Sequence, residues 1–468
     1  MPDSDKLRIL YVVHGFPPDT WAGTEVYTLH LAQAMQRLGH DVLVLARTDV
    51  RDGEREFELR EDSFQGLRVL RMPRDVRDQS LRESYRHSHA ERVFRDVLAR
   101  EKPDIVHLQH LLHFSAALPR IARDAGVPNV VTLNDYWTLC ARVQFIRPDG
   151  VRCDENQELG CLVCVKGKNP RRIALARRVL PLARPAVALA RAFDRAPLER
   201  WEQRGARPSR LARMLRDYDA ARERNDFVLD AIAAADLCIA PSRFLREKML
   251  VTGCFDPRRV IHSDYGIASN AASESSATSS ASELASSDRT VRFGFIGSLV
   301  WYKGVDVLVR AMGELARSRC VLHVHGEFKP DSDAHHAQLA RLAKGARVEF
   351  HGRFANERIA DVYRGIDVLV VPSIWFENSP ITIHEAFIHH TPVVTSNIGG
   401  MAELVTDGVD GLHFEVGDSE HLATVLKRFV DEPGLVAQLS QKFPRIKTID
   451  ENARELEQHY RALCRDTR

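Results

Sequence analysis

Short apolar runs alternate with longer amphipathic ones from the start of the chain. Residues 7–14, 41–47, 104–108 and 127–133 have the apolar, β-branched character of strands, and residues 24–38 carry a helical pattern. A helical run near 224–235, a strand at 236–240, a helix from Ser242 and a strand near Val260 continue the rhythm. Strands this short and this uniformly apolar, separated by helices, predict a parallel sheet covered on both faces. The first half therefore reads as a doubly wound α/β domain.

The pattern stops at residues 268–289, which are dominated by Ser, Ala, Glu and Thr and hold too little apolar surface to fill a core. They read as a linker. Alternation restarts at Val291, with strands expected at 291–297, 320–325, 347–351, 367–371 and 392–395, so residues 290–440 form a second domain of the same kind. Within 441–468, apolar Ala453, Leu456, Tyr460 and Leu463 recur at three- and four-residue steps, the mark of a terminal helix with one face to bury, for which the first domain is a candidate partner.

Composition supports this division. A chain of 468 residues, 44% hydrophobic and 28% charged, is long enough for two cores. No apolar run reaches membrane-spanning length, and the start of the chain lacks the pattern of a secretion signal. A cytoplasmic protein with mostly reduced cysteines is expected. Net charge is +2, but residues 166–216 hold 15 Lys or Arg against three acids, which leaves the rest acidic. This basic insertion interleaves arginines with apolar residues, as an amphipathic surface for anionic lipid does and as a solvated helical insertion also does. Nucleic acid is not indicated, because no aromatic platform accompanies the charge.

Candidate chemistry centres on Glu377-Asn378-Ser379-Pro380-Ile381-Thr382-Ile383-His384-Glu385, between two expected strands. Ser379 can cap a helix that Pro380 opens, so that the amides of Ile381 and Thr382 face an anion, with Glu377 and Glu385 flanking it. Carboxylates placed there suit hydroxyl groups. An ordinary capped helix with solvated glutamates has the same spacing, so its neighbours decide. These include Gly297-Ser298 at the end of a strand and Lys303-Gly304 five residues on, a cation fit for a diphosphate. Gly23-Thr24-Glu25 stands at the start of the helix after the first strand, where backbone comes close to a ligand. His107, His110 and His113 follow a strand, as acceptor-facing groups or as one face of a helix. Cys140, Cys153, Cys161 and Cys164 cluster within 25 residues, with the Cys-x2-Cys spacing of a structural zinc site; reduced or paired thiols are the other reading.

In order and spacing these motifs resemble glycosyltransferase family 4, the retaining sugar transferases of GT-B fold, together with Pro372-Ser373, Thr391-Pro392-Val393-Val394, Gly399-Gly400 and Glu403. The resemblance implies two Rossmann-like domains facing across a cleft, with residues 1–267 on the acceptor side and 290–440 holding the nucleotide sugar. It implies that Glu377 lies by the sugar hydroxyls and Glu385 by the ribose diol. Lys303, Gly297, Ser298 and the backbone of Ser379, Ile381 and Thr382 would meet the diphosphate, with Gly23 approaching from the first domain. Lys303 and Glu377 are then the expected catalytic residues, and His107, His110, Asn134 and Asp135 the acceptor-side candidates. The resemblance implies no catalytic cofactor. Its expected partners are a nucleotide-sugar donor and a glycan or lipid-linked acceptor, at a cytoplasmic or peripheral inner-membrane location. Two departures stand out: Ser298 replaces an arginine that many members carry, and Asn134 replaces a histidine. A nucleotide-sugar epimerase and a non-catalytic nucleotide-sugar-binding protein share the architecture and are the alternatives.

Overall fold

The computed structural model describes residues 6–77, 79–153, 158–167, 210–268 and 289–466. Residues 269–288 of the linker and 168–209 of the basic insertion lie outside the described residues. The chain divides into two compact units, one of residues 1–240, 246–262 and 453–468, the other of residues 241–245 and 263–452.

The first unit is built on an eight-stranded sheet of β1 (Arg8–Val13), β2 (Asp41–Thr48), β3 (Arg60–Phe64), β4 (Leu67–Pro73), β5 (Ile105–Leu108), β6 (Asn129–Thr132), β7 (Leu237–Ala240) and β8 (Val260–His262). Their order is β3-β4-β2-β1-β5-β6-β7-β8, parallel except for β3. β5, β6 and β7 are buried at every position, as strands covered by helices on both faces must be. β3 and β4 escaped the sequence reading because β3 is the charged run Arg-Glu-Asp-Ser-Phe, half exposed at an antiparallel edge. The helix expected near 224–235 is longer and earlier, Arg210–Ala233.

From Ala453 onward, the helix Ile449–Asp466 belongs to this unit. The Tyr460 hydroxyl meets the Tyr11 hydroxyl and His107 Nδ1 in the core, and Cys464 Sγ reaches the Asp104 carbonyl.

The second unit has six parallel strands: β9 (Val291–Ile296), β10 (Cys320–His325), β11 (Val348–Gly352), β12 (Val368–Val371), β13 (Val393–Ser396) and β14 (Gly411–Phe414). Their order is β11-β10-β9-β12-β13-β14. One face packs Phe293, Leu322, Val324 and Val370 against the helices Val305–Glu314 and Ser419–Asp431; the other packs Leu369, Ile383 and Phe387.

In each sheet the first strand has the chain's next strands laid on one side and later ones on the other. The switch points fall between β1 and β5 and between β9 and β12. Loops leaving such neighbouring strands diverge to opposite faces and open a crevice at the carboxyl ends of the strands, where doubly wound sheets bind ligands.

Candidate functional site

At the switch point of the second unit the chain leaves β9 through Gly297 and returns by a short turn, Trp301–Lys303, to the helix Val305–Glu314. Gly304 has φ +68°, and a Cβ there would stand 2.0 Å from the Pro372 carbonyl, so only glycine lets this turn rest on the loop leaving β12. That contact brings Lys303 to Glu377. Lys303 Nζ donates to Glu377 Oε1 at 2.6 Å, and the same oxygen accepts from Ser373 Oγ at 2.7 Å and Trp375 Nε1 at 2.9 Å. Glu377 is buried, which makes this a charge-assisted cluster in a protected setting.

The loop carrying Glu377 is pinned from behind. Gly399 and Gly400 open the helix Gly399–Leu404. Gly400 N donates to the Glu377 carbonyl at 2.9 Å, and a Cβ on Gly400 would fall 1.4 Å from the Asn378 carbonyl oxygen. Ser242 Oγ holds the Asn378 side chain at 2.6 Å.

The expected cap is corrected. The helix is Ile381–Ile388 with Pro380 at the N-cap, and no side chain caps it. Ser379 turns away instead: its hydroxyl donates to Asp264 Oδ1 at 2.6 Å and meets His384 Nε2 at 2.8 Å. Burial would raise the Asp264 pKa, but His384, Ser379 and the Tyr265 amide outweigh it and hold the carboxyl below its usual range. Ser379 thus fixes the helix entrance through its side chain, leaving the first-turn amides of Ile381 and Thr382 without a partner inside the helix. Glu385 lies half-buried against Tyr363, whose hydroxyl donates to the Thr382 carbonyl at 2.8 Å. Burial pushes its carboxyl up to about 7, with Tyr363 opposing the rise. Ser298 is exposed at the mouth of the β9 loop.

Asp264, His384, Ser373, Trp375 and Tyr363 were not assigned roles from sequence. Ser373 and Trp375 stand just ahead of the motif, four and two residues before Glu377, and that spacing was the available signal. Asp264 lies 115 residues from Ser379 and gave none.

At the switch point of the first unit, the His107 ring is fully buried. It contacts Tyr460 through Nδ1 and Thr132 Oγ1 through Nε2 at 2.7 Å, and burial lowers its pKa to about 3. It is a core group, not an acceptor-facing one. His110 and His113 lie in turns after β5, so the three histidines form no helix face. His113 is held by Gln79, and burial, with Arg47 and Arg74 nearby, lowers its pKa to about 3.

His110 is the functional candidate of the three. Its Nδ1 accepts from the Leu112 amide, so Nε2 carries the proton donated to Asp135 at 2.8 Å. Burial disfavours its charged form, but Asp135, with Glu25 beyond, outweighs that and raises its pKa. Asn134 donates to the Gln109 carbonyl at 2.5 Å and braces this loop.

The site also gathers His14, whose ring lies 4.2 Å from that of His110, and Glu25, 3.6 Å from His14 Nε2. Gly23 begins the helix Gly23–Arg37 beside them in the chain. Buried Arg71, bonded to the Phe16 and Pro17 carbonyls and to Asp62, anchors the loop after β1.

Cys140, Cys153, Cys161 and Cys164 line one cavity, with Arg142 bonded to the Cys164 carbonyl. Among the described residues, the group of three His, Cys, Asp or Glu ligand atoms within 4.8 Å of one another lies elsewhere, at His323, Glu349 and His351.

Two doubly wound sheets, with a cation set against a carboxylate at the second switch point, define the architecture of the GT-B class. Residues 21–184 match the model of Glycosyltransferase Family 4 and residues 290–432 that of Glycosyl transferases group 1. The chain belongs to this family of glycosyltransferases. It is 37% identical over 161 residues to a D-inositol 3-phosphate glycosyltransferase of Rhodococcus opacus, a stretch that takes in 32% of this chain and 35% of that one. Its fold resembles that of a glycosyltransferase from Rickettsia africae, with TM-score 0.60 and 14% identity over 98% of this chain and 99% of that one. It also resembles Anabaena HepE, solved in complex with UDP and glucose, with TM-score 0.56 and 17% identity over 98% of each chain.

Proposed function

We propose that the chain is a retaining glycosyltransferase that moves a sugar from a nucleotide-sugar donor to a glycan or lipid-linked glycan in cell-surface polysaccharide synthesis. The observation that carries this reading is the Lys303–Glu377 pair at the β9/β12 switch point, in front of a helix start. Lys303 and the amides of Ile381 and Thr382 take the diphosphate, Glu377 takes sugar hydroxyls and Glu385 the ribose diol. Gly297 and Ser298 shape the turn around the phosphates.

In a front-face transfer the acceptor oxygen bonds to the anomeric carbon while the bond to the diphosphate breaks on the same face. The acceptor's proton passes to the departing phosphate oxygen. The protein then mainly positions the reactants and stabilises charge on the leaving group, which falls to Lys303 and the helix start. His110 with Asp135 is the acceptor-side hydrogen-bonding pair. The basic insertion supports contact with an anionic membrane surface, and no described helix is long and apolar enough to cross one.

The test is NMR analysis of products from a panel of nucleotide sugars and polyol, polyol-phosphate and lipid-linked acceptors. Transfer with retained anomeric configuration is expected. An inverted linkage, or an epimerised donor with no transfer, would overturn the reading.

A further inference from the structure

The cluster on β10 and β11 is made of residues that have no part in the donor site described above. Register pairs His323 with Glu349, and a shift between Val324 and His325 lets His351 sit on the same face of the sheet. His323 Nδ1 stands 2.9 Å from His351 Nε2 and 3.3 Å from Glu349 Oε2, and His351 Nε2 stands 3.7 Å from that same oxygen. Three lone-pair-bearing atoms thus converge on one point.

A divalent transition ion binds imidazole nitrogen and carboxylate oxygen at about 2.0–2.2 Å, which sets ligand separations of roughly 2.9 Å for octahedral and 3.4 Å for tetrahedral geometry. The observed triangle brackets both. The surroundings suit a cation. Arg292, the one charged residue of β9, is already paired with Asp367. The His325 ring stacks on His351 with centroids 4.7 Å apart and fixes its plane. Glu349 and His351 are exposed, so further coordination positions open to water.

We propose that His323, Glu349 and His351 form a binding site for a divalent transition-metal ion of the Zn2+, Co2+ or Ni2+ class. The nitrogen-rich set selects against Mg2+ and Ca2+, which take oxygen ligands. Bound there, the ion cross-links edge strand β11 to β10 at the register shift. It thereby braces the turns at Gly326 and Gly352, which are joined by a 2.9 Å backbone hydrogen bond, and Gly326 packs on the Gly297 carbonyl at the end of β9.

The test is titration of the full chain with CoCl2 and ZnCl2, read by calorimetry and by the visible d–d spectrum of Co2+. His351→Ala and Glu349→Gln, both at the exposed edge, are compared with the wild type after circular dichroism shows each folded. The expected result is one equivalent bound through nitrogen and oxygen, undisturbed by excess MgCl2 and lost in both variants. Binding at the cysteine cavity is separated by its thiolate-to-cobalt charge-transfer band. No uptake, uptake equal in wild type and both variants, or uptake showing only the thiolate band overturns the proposal.

Discussion

Glu377 Oε1 accepts three donors, one of them Lys303, so the residue expected to grip sugar hydroxyls is held in place before any donor arrives. Removing Lys303 deletes the cation facing the leaving group and leaves the carboxylate with two neutral donors. Lys303→Ala is therefore expected to lower kcat about 100-fold or more while destabilising the fold by only roughly 1–3 kcal/mol. Steady-state kinetics and thermal melting check both figures.

Glu385 supplies a pH signature. Its folded pKa, raised from 4.5 to about 7 by burial, means the native state holds a proton that the unfolded chain releases. This group's contribution to stability therefore falls as pH rises from about 4.5 to 7. Glu385→Gln should flatten the stability profile in that window, measured by urea unfolding. Both carboxylates and Lys303 were legible in sequence as a spacing. The Ser379–Asp264–His384 contacts were not, because the pattern that suggested a serine cap is local and the partner that captures Ser379 comes from a distant segment.

Among elements, strands buried on both faces announced themselves as continuous apolar runs, and β1, β2, β5, β9, β10, β12 and β13 stand close to where that pattern placed them. Two edge elements did not: β3 carries three charges, and β14 is the four-residue run Gly-Leu-His-Phe. The glycines were visible but their purpose was not, since a close approach between backbones is a tertiary fact. Gly400 is the clearest case. A methyl group there would overlap the Asn378 carbonyl and push the loop holding Glu377. Gly400→Ala should destabilise the protein by roughly 1–3 kcal/mol and weaken donor binding. An unchanged melting midpoint and unchanged affinity would show that the loop has room to yield.

At the scale of the whole molecule, two sheets repeat one topology and each sets its candidate groups at its own switch point: His14, Glu25, His110 and Asp135 in the first, Lys303, Glu377 and the Ile381 helix start in the second. The bipartite plan was legible because composition breaks sharply at residues 268–289 and the strand rhythm then restarts. Which histidine serves a site and which fills a core was not, since His107 and His110 differ in sequence only by position and in structure by what closes over them. The central claim is that a nucleotide sugar is held at the β9/β12 switch point. It is tested most directly by thermal shift of the wild type, Lys303→Ala and Glu377→Gln against a panel of nucleotide sugars, because a ligand that binds only the folded state raises its midpoint. The expected result is a shift with one donor in the wild type that is lost or sharply reduced in both variants. No shift with any nucleotide sugar, or equal shifts in all three proteins, would contradict it.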